Sequence, residues 1–70
     1  MRVLVFDTTH HALWAEELAL AQGLAVDVVP APAEANAKCD LALAFLDEDE
    51  ADLLRVLGEA EVPYRVHGAS

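Results

Sequence analysis

The residues best suited to chemistry are Cys39 and two neighbouring histidines, His10 and His11. Cys39 is the sole cysteine of the 70 residues, so it forms no internal disulfide; the thiol is free or pairs between molecules, which suits a reducing compartment. It closes the stretch Pro30–Cys39, which reads as a loop between two strand-like segments with no helical or alternating apolar pattern of its own. A connection of that length in so small a chain is usually functional or disordered. Flanked by Lys38 and Asp40, the thiol is expected to be accessible.

A second polar stretch, Asp7-Thr8-Thr9-His10-His11, immediately precedes a helix-forming run. The N–H groups at a helix start favour an anion, and a thiolate is one. A protonated His10 or His11, together with Lys38, would favour that form further, whereas Asp40 opposes it by like-charge repulsion. An activated thiol of this kind attacks a persulfide or disulfide sulfur, holds the transferred atom and passes it to another thiol. Two histidines and a thiol also resemble a zinc or copper site, lacking a fourth ligand unless Asp40, water or a second subunit supplies it. Adjacent residues on a helix point about 100° apart, however, so His10 and His11 do not easily share one ligand set. Cysteine–histidine hydrolysis needs a base within hydrogen-bond reach and a substrate pocket that so short a chain is not expected to form.

The elements that position these residues follow in order. Val3–Phe6 reads as a buried or central strand. Asp7, Thr8 and Thr9 are capping residues for a helix over His10–Gln22, with Gly23 as its stop. The inner stripe of that helix is expected to be Ala12, Ala15, Leu18, Ala19 and Gln22, leaving Trp14 and Leu20 on its edge or on a partner surface. Ala25–Val29 is a second strand, ended by Pro30, and Asp40–Leu46 a third. The acidic run Asp47–Glu50 belongs in the first turn of a second helix that continues through Ala51–Ala60; it lacks the spacing and glycine of a calcium loop. Val62–Val66, with Pro63 near its start, suits an edge strand, and His67–Ser70 is a tail.

The order β-α-β-β-α-β predicts one domain over residues 1–70 with a ferredoxin-like α+β sandwich: a four-stranded antiparallel sheet with both helices on one face. In that topology Thr8, Thr9, His10 and His11 and the loop ending at Cys39 lie at one end of the sheet, and His67 at the other.

Composition narrows the partners. The formal charge of −9, with only four lysines and arginines, disfavours nucleic acid and anionic membranes, whose recognition needs clustered cations. No apolar run approaches the roughly 20 residues needed to span a bilayer, and the first residues do not form a signal peptide. A soluble, cytoplasmic protein is expected.

The segments Phe6-x-Thr8-Thr9-His10-His11-Ala12-Leu13-x-Ala15-Glu16, Val29-Pro30-x-Pro32 and Cys39-x-Leu41-Ala42-Leu43 together resemble the DUF3343 family of selenium/sulfur carrier-like proteins, over nearly the whole chain. The resemblance implies that Cys39 is the carrier thiol, holding sulfur or selenium as a persulfide or selenosulfide for a protein donor and acceptor. It implies no cofactor beyond that covalently carried atom, and a carrier rather than a complete enzyme. Thr9, His10, Glu16, Pro30 and Pro32 fall on motif positions. Asp40 stands where the family usually has glycine, and Ala33 where it commonly has arginine. The alternatives are an interaction module that dimerises through a sheet edge or the Trp14 and Leu20 side, and a small metal-binding module using His10 or His11 with Cys39.

Overall fold

The computed structural model describes residues 2–68. Strands β1 (Val3–Val5), β2 (Val26–Pro30), β3 (Leu41–Phe45) and β4 (Arg65–His67) alternate with helices α1 (Thr9–Ala21) and α2 (Glu50–Glu59) in the order β1-α1-β2-β3-α2-β4. The sheet runs β2-β3-β1-β4, with every neighbouring pair antiparallel. This is the expected ferredoxin-like α+β arrangement, with β1 central and buried along its length.

Helix α1 is bounded by its own side chains. Thr8 is the N-cap, its hydroxyl accepting the His11 N–H at 3.1 Å, which satisfies one of the free donors of the first turn. At the other end Gly23 takes φ 77°, the left-handed conformation that glycine adopts without steric cost. The Leu24 N–H then reaches the Ala19 carbonyl and the Gly23 N–H that of Leu20, both at 3.0 Å. Helix α2 ends in the same way, with the Val62 N–H bonded to the Leu57 carbonyl and the Glu61 N–H to that of Gly58. There the left-handed residue is Glu61, φ 58°, and the buried Val62 packs in the core with Leu57. Apolar contact of this kind commonly accompanies the paired hydrogen bonds of such a helix end.

The core has two sides. Both helices cover one face of the sheet, where Ala12, Ala15 and Ala19 of α1 and Leu53 and Leu57 of α2 pack on Leu4, Phe6, Leu43 and Phe45. The opposite face is not left open. Val3, Val5, Ala42 and Ala44 form a second buried cluster, closed by Ala35 with Ala31 and Ala37 beside it. The segment after β2 therefore folds under the sheet. It carries a 3-10 turn over Ala33–Ala35, begun by Pro32 and ended by Asn36 at φ 50°. Arg65 on edge strand β4 donates to the Ala35 carbonyl at 3.4 Å, and the Ala31 N–H to that of Asp40 at 2.8 Å.

Several expectations need correction. The Pro30–Cys39 stretch does have an alternating apolar pattern, Ala31-Ala33-Ala35-Ala37, and three of these alanines pack on the sheet. Pro30 closes β2 opposite Leu41 rather than following it. Gln22 is exposed, because it is the helix C-cap rather than part of the inner stripe. Trp14 packs against the core while Leu20 faces outward. The acidic residues Asp47–Asp49 form a separate 3-10 turn, and α2 begins at Glu50. The last strand starts beyond Pro63, because Val62 is taken up by the end of α2; His67 belongs to that strand, opposite Val3. Of the expected tail, Ala69 and Ser70 lie outside the described residues.

Two stability measurements test this packing. Ala42 is fully buried beneath the loop, so Ala42→Leu should cost about 1–3 kcal/mol by overpacking, read as a lower urea midpoint at unchanged slope. Glu61→Gly should stabilise by a few tenths to about 1 kcal/mol, because the left-handed penalty outweighs the added chain entropy of glycine. An unchanged or lower midpoint would mean that Glu61 is not strained.

Candidate functional site

Strand alternation determines where the thiol goes. Leu43 and Phe45 lie on the helix-covered face with Leu41 packed beside them, and Cys39 continues the same every-second-residue series one step before the strand. Its side chain therefore enters the helix-side core rather than solvent. Cys39 is 4 % exposed, and the expectation of an accessible thiol is corrected accordingly.

The sulfur has two polar neighbours. Thr9 Oγ1 lies 3.7 Å from Cys39 Sγ, a contact in which either group can donate. The Leu41 N–H donates to the same sulfur at 3.3 Å. The Cys39 N–H donates to the Phe6 carbonyl at 3.3 Å, which ties the end of the loop to the end of β1. Thr9 is the first residue of α1, so the sulfur rests at the positive end of that helix, where negative charge is favoured. The convergence expected from topology is thus realised through Thr9, 30 positions before its partner in the sequence.

The other candidates, both histidines included, make no hydrogen bond to the sulfur among the described residues. His10 is exposed, its ring 6.0 Å from that of Trp14 and 5.9 Å from that of His11. His11 is half-buried, and its Nδ1 is enclosed without a protein partner. Lys38 is exposed, as is Asp40, whose carbonyl receives the Ala31 N–H. Glu16 is half-buried on α1. Pro30 and Pro32 frame the loop, one ending β2 and the other opening the 3-10 turn. Among the described residues no group of three or more His, Cys, Asp or Glu side chains is placed to hold a metal ion.

Arg65 is the contact to the loop that sequence reasoning missed. It stands opposite Val5 on β4 and reaches across the underside to the loop carbonyl. Its only signal was indirect, as a cation on an edge strand among thirteen carboxylates.

Among the described residues no helix is long and apolar enough to cross a membrane. No curated protein and no solved structure matched the chain. A family model described as "Putative Se/S carrier protein-like" matches residues 1–66. The match covers almost the full length, and the chain belongs to this Se/S carrier-like family.

Proposed function

We propose that the protein carries a sulfur or selenium atom on Cys39 between a donor and an acceptor protein in the cytoplasm. The observation that carries this reading is the placement of the sole cysteine at the first residue of α1, with Thr9 and the Leu41 N–H on its sulfur. The Cys39 thiolate attacks the outer sulfur of a donor persulfide, R–S–SH. A new bond forms between Cys39 Sγ and that sulfur, the donor S–S bond breaks, and its electron pair leaves with the donor as RS⁻. An acceptor thiolate then repeats the step on the sulfur held by Cys39, so no outside oxidant or reductant is consumed. A selenium atom follows the same course. The negative charge of the bound terminal atom is stabilised by the helix end and by the Thr9 hydroxyl. In this reading His10, exposed one residue further along α1, is the side chain that meets the donor, with His11, Lys38 and Glu16 as supporting residues.

Burial sets a condition on this chemistry. A donor reaches the sulfur only when the first turn of α1 parts from the chain entering β3. That contact is held by Thr9 on the sulfur, by the Leu41 N–H bond to it and by the Cys39 N–H bond to the Phe6 carbonyl. A partner that binds the opened end of α1 makes transfer and opening one event.

Two experiments check the reading. After incubation with a persulfide donor and desalting, the wild-type protein should keep one labile sulfur per chain, and Cys39→Ser none; sulfur retained by Cys39→Ser would refute the carrier role of this residue. Alkylation of Cys39 by a small uncharged reagent should be slow in the wild type and several-fold faster in Thr8→Ala, which removes the cap of the helix turn lying over the sulfur. Equal rates would show that the first turn of α1 does not hold the thiol closed.

A further inference from the structure

Helix α1 is apolar on two sides, and the chain covers only one of them. Its inner side is the alanine stripe on the sheet. On its outer side Leu13 is 48 % and Leu20 54 % exposed, two turns apart on one stripe. Between them, His10, Leu13, Trp14 and Glu17 line a shallow groove of about 240 Å³. A helix that is apolar all round normally has both faces buried. By contrast α2 is divided into a buried face of Leu53, Val56 and Leu57 and an exposed face on which Arg55 pairs with Asp52 and Glu59.

Charge indicates what covers the outer side of α1. The helix holds Glu16 and Glu17 and no lysine or arginine. Of the four cations in the chain, Arg2 pairs with Glu50, Arg55 with its own helix, Arg65 is bonded to the loop, and Lys38 is exposed in the segment before β3. The carboxylates beside the groove are therefore uncompensated by α1 itself. A second copy of a chain with net charge −9 would bring like charges together there, whereas a basic segment meets complementary charge.

We propose that the outer face of α1, centred on the His10–Leu13–Trp14–Glu17 groove and continued by Leu20, docks a basic amphipathic helix of the protein that exchanges sulfur with Cys39. Naming that protein rests on the carrier reading; the docking itself does not. Leucines of the incoming helix fill the groove against Leu13 and Trp14, and its lysines or arginines meet Glu16 and Glu17. The position serves transfer, because the groove starts at His10, one residue from the Thr9 that touches Cys39 Sγ.

Trp14 is the sole tryptophan, so its fluorescence reports the groove directly. The full chain would be titrated with a short helix-forming peptide of leucine and lysine, and in parallel with a leucine–glutamate peptide of the same pattern. Trp14 emission should shift to the blue with the lysine peptide only. Affinity should fall at least roughly tenfold in Leu13→Ser, a loss in line with removing one buried leucine contact. The salt dependence should flatten in Glu16→Gln/Glu17→Gln. Equal binding in Leu13→Ser would reduce the effect to bulk charge attraction and overturn the proposal. So would equal binding of the glutamate peptide, an unmoved Trp14 spectrum, or a concentration-dependent doubling of mass without peptide, which would seat a second copy on this face. Leu20→Ser, also at an exposed position, repeats the test should Leu13→Ser fold poorly. Cys39→Ser should bind the peptide as the wild type does, so loss of docking and loss of sulfur transfer are separately visible.

Discussion

Close approach at alanine is the constraint on which the rest of the structure depends. A sheet whose strands are three to five residues long offers little area to hold additional layers in place. Ala12, Ala15 and Ala19 let α1 lie near one face, and Ala42 and Ala44 let the loop lie near the other, so the same short strands are buried on both sides. Larger side chains at any of these positions would push a layer away from β1 and β3. The loop is thus a third layer, and its end leads into Cys39.

From that packing the placement of the thiol follows. Once Ala35 is seated under the sheet and the Ala31 N–H is bonded to the Asp40 carbonyl, the chain must turn up into β3 through Cys39. Its N–H meets the end of β1 and its side chain falls beneath the first turn of α1. Thr8 fixes where that turn begins, and so fixes the height of Thr9 over the sulfur. Backbone and side-chain hydrogen bonds that look purely local therefore converge on one sulfur atom.

Most of the architecture was legible in the sequence because it is encoded by period and punctuation. The β1 run, the threonine cap, Gly23 and the alternating β3 segment each name their element, and topology alone brings Thr9 towards Cys39. What was misread lies at junctions. Val62 looks like a strand residue, yet the end of α2 takes it, since Glu61 adopts the left-handed conformation that glycine would ordinarily mark. Cys39 looked exposed because its neighbours are charged, but carrying the Leu41–Leu43–Phe45 alternation back by one step places it inside. The alanines at every second position from 31 to 37 were the written sign of the third layer. The reach of Arg65 to a carbonyl 30 residues earlier has no local signature, since it depends on which strand becomes the edge.

The burial of Cys39 has a consequence for the lifetime of the thiol. Oxidation to sulfenic acid and beyond follows thiolate character and exposure, so a sulfur 4 % exposed is shielded from peroxide for as long as the first turn of α1 stays closed over it. Damage then accumulates in proportion to the small fraction of molecules that are open. A sulfur buried by every second residue of a strand is kept reduced by geometry, without a resolving cysteine anywhere in the sequence.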